Sequence, residues 1–457
     1  MIGLKLGHPY LGAAVLTLMA LAGSTQVATG RSALEPGERT VAHRAGGVPV
    51  RSSHLPRAVM SRTGTTSGEP TLGVTKNGHI ILSALQQTGA EVLKSTDEGR
   101  SWEVISPQLA ESIAVHQVSL DPYVYVDDKN EDVQRIFTID LTVACSYMSF
   151  SDDGGESWTT NPLACGRPVN DHQTLFAGPP ASSPTVGYPN IVYYCWNDVA
   201  TSSCSRSLDG GITFHPTGSP AFIGYETEGE ASGHCGGIHG HGVVDDEGIV
   251  YLPREFCARP FLAISRDEGT TWERVRVSSL RAIRNGDPSV DVDSAGNIYY
   301  AWVGPKRLPF LAVSKDGGKS WSKPMMIGAP GVHEVNLLTL DVGAPGRVAF
   351  AYMGSKDAEH PKTWDGFMGM SVTALKASPI FYSAAVSRDE DPLKRGACGP
   401  ARCGETILDF IDVVIAPDGS PWASFVDACD AKCIETEFES GNEGAVGHLV
   451  GGPALDR

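Results

Sequence analysis

The sequence has few basic residues and no long hydrophobic run outside its beginning. Lys and Arg total 36 against 53 Asp and Glu, which gives a formal net charge of −17 at pH 7. A nucleic-acid-binding protein needs a basic stripe to displace counterions from phosphates, and none is present. No segment after residue 22 is apolar enough to span a bilayer. The composition therefore predicts a soluble acidic protein with no nucleic-acid partner and no membrane span.

The apolar run at the start of the chain has the features of a secretory leader. Lys5 precedes the run at residues 11–22, which is too short to span a bilayer, and small residues such as Ala22 and Ser24 offer cleavage sites. A buried strand or a membrane anchor is the alternative, but a polar stretch follows the run directly. We therefore predict a signal peptide at residues 1–24 that is cleaved on secretion to the extracellular space.

The ten cysteines fall in the sequence as close neighbours. The neighbouring pairs are Cys145 and Cys165, Cys195 and Cys204, Cys235 and Cys257, Cys398 and Cys403, and Cys429 and Cys433. An even number of cysteines in an exported chain is typical of disulfides, and the local contacts of a repeat fold favour pairing between neighbours. Zinc ligation by the last four cysteines is the alternative, which the oxidising compartment disfavours.

One eight-residue pattern, S-x-D-x-G-x-[ST]-[WF], is written five times. The copies are Ser95–Trp102, Ser151–Trp158, Ser207–Phe214, Ser265–Trp272 and Ser314–Trp321. A motif that recurs about every 50–60 residues is typical of a repeat architecture in which each unit is one supersecondary element. The pattern resembles the Asp-box, or BNR repeat, of the sialidase-like β-propellers. Its Asp can accept turn hydrogen bonds and its aromatic residue can pack between strands, so we expect a structural role.

The spacing of this pattern divides the rest of the chain into seven similar repeats. Each repeat opens with a short run that starts at an acidic residue or His, and a β-prone second strand follows, often after an Asn-Gly, Asp-Gly or Glu-Gly turn. The second strands are predicted at His79–Gln86, Arg135–Thr142, Ile191–Asn197, Ile249–Phe256, Asn297–Val303, Arg347–Met353 and Pro421–Ala428.

These repeats predict an all-β fold, a seven-bladed β-propeller of four-stranded antiparallel blades, with a six-bladed propeller of the sialidase type as the alternative. Residues 67–457 form the propeller domain, and residues 25–66 form a linker with a possible ring-closing strand. The seventh repeat ends at Ala445–Val450 without an obvious fourth strand. Because a closed ring must not leave raw sheet edges, the segment near Thr40–Ser52 is expected to supply that strand.

The loops that enter the inner strands of a propeller meet at one mouth, where a rigid scaffold favours a ligand site. All seven entries present a carboxylate or an imidazole: Glu69, Asp121, Asp171 with His172, His239 with His241, Asp287, His333 with Glu334, and Glu405 with Asp409. The candidate catalytic residues for acid–base chemistry are Asp121, Asp171, Asp287, Glu334, His172 and His239. Asp121 and Asp287 precede Pro, so capping of a turn is an equally strong alternative for these two.

Histidines at the mouth also suit a metal site. His239 and His241 point to one face if the segment is a strand, and with His333 they could ligate a divalent metal, the cofactor that this sequence allows. Satisfied structural histidines are the alternative.

Arginines indicate binding of a substrate carboxylate, because a guanidinium binds a carboxylate through two parallel hydrogen bonds. The candidate substrate-binding residues are Arg167, Arg254 and Arg284, together with Glu69 and Asp409. Pairing of each arginine with the protein's own surplus carboxylates is the alternative.

Sialidases that carry Asp-boxes hydrolyse terminal sialic acid with three arginines on the substrate carboxylate, a Tyr–Glu nucleophile pair and an Asp acid/base. Their first inner strand carries Arg-Ile-Pro, where this chain reads Gly68-Glu-Pro-Thr71. The resemblance implies a secreted sialidase-like glycoside hydrolase, or a related carbohydrate-active enzyme, with a glycan or glycoconjugate substrate. The alternatives are a non-catalytic propeller that binds a glycan or a protein, and a His/Arg-dependent polysaccharide lyase. We expect a monomer.

Overall fold

The computed structural model describes most of the chain. The described residues are 27–28, 33–86, 89–107, 121–127, 134–142, 146–163, 171–198, 201–226, 233–235, 237–283, 286–359, 362–399, 403–436 and 439–456. The predicted signal peptide at residues 1–24 lies outside them, as do Cys145, Cys165, Arg167 and Arg284. Within these ranges, no helix is long and apolar enough to cross a membrane.

Antiparallel sheets arranged in a ring make up the molecule, so the all-β propeller of four-stranded antiparallel blades is confirmed. Strand pairing within the described ranges gives seven sheets of four or more strands, numbered here as blades 1 to 7. Each inner strand contacts the inner strand of the next blade, and the last contacts the first, so the ring closes around a central channel. The inner strands are Thr71–Val74, Pro122–Asp127, Asp171–Gly178, Val243–Val244, Ser289–Val292, Glu334–Val342 and Asp412–Ile415.

The remaining strands of each blade run outward in chain order. Blade 1 continues with Ile80–Gln86, Gly89–Ser95 and Trp102–Val104, and Val27–Ala28 pairs with its outer edge. Blade 2 continues with Arg135–Leu141, Ser146–Ser151 and Thr159–Pro162. Blade 3 continues with Ile191–Asn197, Thr201–Ser207 and His215–Pro216, and Phe222–Ile223 also pairs with its third strand. Blade 4 continues with Val250–Phe256, Arg259–Ser265 and Glu273–Arg276.

Blades 5 to 7 follow the same order. Blade 5 continues with Ile298–Val303, Pro309–Ser314 and Met325–Met326. Blade 6 continues with Val348–Ser355, Thr363–Ser371 and Phe381–Ala385, and Lys394–Arg395 pairs with its third strand. Blade 7 continues with Pro421–Asp427 and Glu443–Val450. Outside the blades lie the hairpin Tyr225–Glu226 with Gly233–His234, the 3-10 helix Pro305–Arg307, and the helices Gly404–Ile407 and Ala431–Thr436.

The predicted second strands are confirmed, each within two residues of its expected ends. Most of their residues are buried on both faces, because each blade packs between two others; Ile191–Asn197, for example, is buried throughout. The expected turns precede them: Gly78 has a φ of 77°, which suits the Asn77-Gly78 dipeptide before the second strand of blade 1.

The ring is closed by the N-terminal segment, but through a different strand from the one predicted. Arg57–Thr66 pairs with Glu443–Val450 and completes blade 7. The predicted closing segment, Thr40–Ser52, instead forms a hairpin of Val41–Arg44 and Val48–Pro49 that extends blade 6 beyond Phe381–Ala385. Neither segment carries the repeated turn motif, so the sequence pattern could not distinguish the strand that closes the ring from the strand that pairs with the outer edge of blade 6.

The five repeated motifs form identical turns between the third and outer strands. In the first, Oδ1 of Asp97 accepts hydrogen bonds from the Ser95 hydroxyl (3.0 Å) and the Ser101 N–H (2.8 Å), and Oδ2 accepts one from the Ser101 hydroxyl (2.7 Å). Trp102 is buried and donates from Nε1 to the carbonyl of Gly99. The same three contacts to Asp recur in the other four copies. These turns lie at the opposite end of the blades from the inner-strand entries, so they hold the fold and do not form the mouth.

Polar side chains on the inner strands join neighbouring blades. Oδ2 of Asp291 accepts the Val342 N–H (2.8 Å), and Oδ2 of Asp341 accepts the Ile415 N–H (2.6 Å). Neighbouring inner strands do not pair through their backbones, so a buried inward-facing amide needs a side-chain acceptor. Oδ2 of Asp412 likewise accepts the Leu72 N–H (3.2 Å), and the hydroxyl oxygen of Thr71 accepts the Val124 N–H (2.7 Å). These contacts fix the relative heights of the strands whose entries form the mouth.

Four of the predicted disulfides are confirmed: Cys195–Cys204, Cys235–Cys257, Cys398–Cys403 and Cys429–Cys433. Several disulfides are consistent with an extracellular protein. The zinc alternative for the last four cysteines is wrong, because each is bonded to its neighbour.

Candidate active site

Eight side chains from six blades come together where the inner strands begin, and we call them the mouth cluster. They are Glu69, Asp121, His172, His239, His241, Asp287, Asp409 and Phe410. All but Phe410 come from the predicted ring of entry residues. The ring of blades therefore brings together side chains that are up to 340 residues apart in the chain.

His172 lies at the centre of the mouth cluster and joins two carboxyl groups. Its backbone N–H donates to Oδ2 of Asp121 at 2.9 Å, and its Nε2 lies 2.6 Å from Oδ2 of Asp287. The second contact is an ion pair without good hydrogen-bond alignment. Burial by itself lowers the pKa of His172, but the charge of Asp287 outweighs it and raises the pKa to about 10. His172 is therefore an imidazolium at neutral pH.

Three carboxyl groups of the mouth cluster have raised pKa values. Burial raises the pKa of Asp121 to about 6, against the opposing charge of His172. Burial also raises the pKa of Asp287, again against His172. Burial and the charges of Asp121 and Asp409 raise the pKa of Glu69 well above its usual range. A site that holds raised carboxyl pKa values beside a fixed cation can keep one acid protonated and another ionised, which is the requirement for acid–base chemistry.

Glu69 is almost fully buried and binds the entry of the neighbouring blade. Its Oε1 accepts the backbone N–H of Asp409 at 3.2 Å, which connects blade 1 to the entry of blade 7. Among the described residues, Oε2 of Glu69 has no hydrogen-bond partner. Burial and the neighbouring carboxylates raise the pKa of Glu69, which favours the protonated form of this carboxyl.

The two histidines of blade 4 are neutral and pack against the centre. The His239 ring lies 6.2 Å from that of His172, edge to face, and burial with the His172 charge lowers the pKa of His239 well below its usual range. The same causes lower the pKa of His241 to about 3. Phe410 packs edge to face on both His172 and His241, with ring centroids 5.6 and 6.1 Å apart. Gly240 is required between the histidines, since a Cβ there would lie 1.9 Å from the Pro288 carbonyl oxygen.

Four of the ten non-glycine residues with positive φ in the described ranges lie at the inner-strand entries. Glu69, His172, Leu337 and Leu408 enter the inner strands of blades 1, 3, 6 and 7 with φ values of 47°, 49°, 54° and 66°. Non-glycine residues rarely adopt this left-handed region, and such residues cluster at functional sites, where the surroundings stabilise them. Blades 3 and 6 also carry a shift in strand register next to these residues.

Two cavities meet the mouth cluster. A small pocket of about 20 Å³ lies between the entries of blades 4 to 7 and is lined by Asp287, Asp409, Phe410 and His241. The central channel is larger, about 340 Å³, and is lined by the inner strands of all seven blades, including His241, Tyr123 and Asp412. His241 therefore stands between the mouth pocket and the channel.

Comparison with known proteins identifies the fold. No protein-family model matches the chain, and neither does any curated protein. The chain is similar to propeller lectins and sialidases. A lectin from Burkholderia pseudomallei aligns with 79% of this chain and 93% of its own length, at 9% identity and a TM-score of 0.50. A mutant of NanB sialidase from Streptococcus pneumoniae aligns with 92% and 95%, at 8% identity and a TM-score of 0.45.

A third similar structure is the Aleuria aurantia lectin, described as a six-bladed β-propeller. It aligns with 66% of this chain and 91% of its own, at 13% identity and a TM-score of 0.41. At these identities the likeness concerns the fold alone. The six blades are a property of that lectin, whereas the sheets described above come from this chain's own strand pairing.

The other predicted site residues lie outside the mouth cluster. Asp171 is exposed, and its charge helps to raise the pKa of Asp121. Glu334 forms an ion pair with Arg307, and His333 is exposed. Arg254 is buried beside His239 and donates to the Ser202 hydroxyl (2.8 Å) and the Gly237 carbonyl (2.7 Å).

The predicted metal site does not form in the part of the chain that the structure describes, where no three His, Cys, Asp or Glu side chains are placed to hold a metal ion. The reason is visible at the three histidines. His239 Nδ1 contacts its own neighbour's carbonyl, Gly240, at 3.0 Å; His241 faces the channel; and His333 is on the surface.

Phe410, Tyr123 and Asp412 belong to the site and were not singled out from the sequence. Tyr123 packs edge to face on His241 at 4.9 Å, and Asp412 lies 3.9 Å from His241 Nδ1. Tyr123 and Asp412 lie on inner strands, two and three residues after the predicted entry residues Asp121 and Asp409, and Phe410 directly follows Asp409. The alternation of side chains along those strands is the signal that could have placed them.

Proposed function

We propose that this protein is an extracellular glycoside hydrolase in which the mouth cluster performs acid–base catalysis. The observation that carries the proposal is that His172 contacts two carboxyl groups, Asp121 through its backbone N–H and Asp287 through Nε2. Asp121, with a pKa of about 6, can deliver a proton to a glycosidic oxygen in mildly acidic solution. Asp287 faces the imidazolium, which favours its ionised form. The disulfides support an extracellular location.

A non-catalytic glycan-binding propeller is the second candidate, and a specific observation favours it. The pocket at the mouth measures only about 20 Å³ among the described side chains, and Asp287 is already paired. Such a mouth could bind the edge of a sugar without enclosing a glycosidic bond.

The test uses the purified mature protein and a panel of 4-methylumbelliferyl glycosides that includes neuraminic acid, fucose, galactose and N-acetylglucosamine. We expect release of the fluorophore from at least one glycoside, and a loss of about 10²–10⁴-fold in kcat for Asp121→Asn and for Asp287→Asn. Asp418→Asn, an exposed carboxylate at the opposite end of blade 7, is the matched control and should hydrolyse at the native rate. Saturable binding of the free sugars without any hydrolysis would favour the second candidate.

A further inference from the structure

The mouth pocket has the dimensions of a site for one water molecule. Its volume of about 20 Å³ exceeds the roughly 10–15 Å³ that one water requires and is too small for a sugar ring. Two carboxylates, Asp287 and Asp409, line it from different blades, with Phe410 and Leu338 as apolar walls. Oδ1 of Asp287 is buried and has no hydrogen-bond partner among the described residues. A water in this pocket would therefore lie beside Asp287, whose Oδ1 has no partner in the described part of the chain.

We propose that this pocket holds the attacking water of the hydrolysis, with Asp287 as its general base and Asp409 as a second acceptor, so that the reaction inverts the anomeric configuration. The inference rests on the proposed hydrolase function and goes further, because it assigns the nucleophile and the stereochemistry.

The placement of the acid and the base supports direct attack by water. Asp121 contacts the backbone N–H of His172, whereas Asp287 contacts the far end of its ring, so a whole histidine residue separates the two carboxyl groups. Inverting glycosidases keep their carboxyl groups about 6.5–9.5 Å apart to leave room for water, and retaining ones about 5–5.5 Å apart. An intervening histidine is compatible with the wider spacing and leaves Asp121 free of direct contact with the base.

The tyrosine nearest the mouth is badly placed to act as the nucleophile. Tyr123 lines the central channel, not the mouth pocket. Its hydroxyl lies 3.3 Å from Thr174 Oγ1, and burial with the charge of Asp412 raises its pKa above the usual range. A phenol with a raised pKa is a poorer nucleophile at neutral pH.

The chemical step then balances as a simple hydrolysis. The water oxygen bonds to the anomeric carbon as the glycosidic C–O bond breaks. A proton of that water goes to the Asp287 carboxylate, and the leaving oxygen takes the proton of Asp121. His172 stays protonated throughout and acts as a positioning residue, since it orients Asp287 without touching the reacting atoms.

Proton NMR of the first turnovers, on whichever glycoside of the panel is cleaved, tests the stereochemistry. We expect the initial sugar to appear as the anomer opposite to the substrate. We also expect Asp287→Ala to lose about 10²–10⁴-fold in kcat, and sodium azide to restore turnover of that variant by giving a glycosyl azide of inverted configuration. Asp409→Asn should slow hydrolysis with an unchanged melting temperature, and Asp418→Asn again serves as the control.

Two outcomes would overturn the inference in different ways. An initial product of retained configuration, or a covalent glycosyl-enzyme trapped by a fluorinated glycoside and seen by mass spectrometry, would refute the water pocket while leaving the hydrolase intact. Absence of hydrolysis across the panel in a folded protein would refute both the hydrolase and this inference.

Discussion

His172 links the energetics of the fold to those of the site. Its ring is almost fully buried, yet it is charged, because Asp287 lies 2.6 Å away and Asp121 and Asp409 add to the negative potential. An imidazolium in this position costs desolvation and is stabilised only while these carboxylates are ionised. Its left-handed backbone conformation adds strain that the surrounding blades must hold.

Protein stability should depend on pH through this residue. The pKa of His172 is about 10 in the folded protein and about 6.5 in the unfolded chain. Folding therefore favours the protonated form, so the stabilisation is complete below about pH 6.5 and is lost as the pH rises through about 10. Urea unfolding between pH 6 and 10 should show this decline for the native protein, and His172→Gln should flatten it at a cost of about 3–5 kcal/mol. The exposed His333→Gln should follow the native curve; equal slopes for all three proteins would contradict the assignment.

Asp171, on the protein surface, should help to set the pKa of Asp121, the proposed acid. Its charge is one of the causes that raise the pKa of Asp121 to about 6, and it is exposed enough to be replaced without repacking. Neutralising it removes repulsion, so Asp171→Asn should lower the apparent pKa of the alkaline limb of kcat/KM by about half a unit. The measurement is a pH–rate profile from pH 4 to 8 at low salt. High salt should screen the effect, and a limb that moves upward would show that Asp121 is not the acid.

At the scale of one element, the repeated turns are local hydrogen-bonded units. Each Asp accepts hydrogen bonds from two side chains and one backbone N–H of its own eight-residue stretch. The motif can therefore be recognised in the sequence without knowledge of the rest of the fold. The contacts also lower the pKa of Asp97, mainly through Ser101 and Ser95 acting against burial.

Removing one such Asp should weaken the fold and leave catalysis unchanged. Asp97→Ala deletes three hydrogen bonds, so we expect the free energy of unfolding to fall by about 1–2 kcal/mol with native kcat. Thr96→Ala, an exposed neighbour in the same turn, should change the unfolding free energy by less than about 0.5 kcal/mol. Chemical denaturation followed by tryptophan fluorescence measures both, and a loss of hydrolysis in Asp97→Ala would contradict a purely structural role.

At the scale of the whole molecule, the closing strand decides whether the ring forms. Arg62, on the strand Arg57–Thr66, binds three carboxylates from three parts of the chain: Glu35 at 2.6 Å, Asp391 at 2.9 Å and Asp427 at 2.7 Å. Burial lowers the pKa of Arg62, but Asp427 and Glu35 outweigh it and the pKa is raised. Asp427 is itself buried in blade 7, so the N-terminal strand supplies its counter-ion.

Loss of this guanidinium should destabilise the entire propeller. Arg62→Met leaves Asp427 buried without its partner, so we expect about 3 kcal/mol less stability in urea, together with weaker protection of Glu443–Val450 in hydrogen exchange. Arg57→Met, an exposed position on the same strand, is the matched control. If both variants unfold at the native midpoint, the three ion pairs contribute little to ring closure.

The sequence by itself determined the blades, because their signals are local. The turn motif, the Asn-Gly type turns and the alternation of side chains each depend on neighbouring residues, so the second strands and four disulfides were predicted almost to the residue. The ring of acidic and histidine entries was readable for the same reason. Glu69, Asp121, His172, His239, His241, Asp287 and Asp409 were all named from their positions at the starts of inner strands.

Tertiary structure alone decided which of those entries meet. Contact between Asp287 and His172 depends on the curvature of the ring and on strained backbone at His172, and neither has a sequence signal. The sequence also carries no signal that Glu334 pairs with Arg307. Nor does it show that His239, His241 and His333 do not converge as metal ligands. The closing strand is Arg57–Thr66, and its Arg62 binds carboxylates from three other parts of the chain, a set of contacts that the sequence does not reveal. Contacts between residues that are far apart in the sequence bring the charged groups of the mouth cluster together. Those charges determine the protonation states on which the proposed chemistry depends.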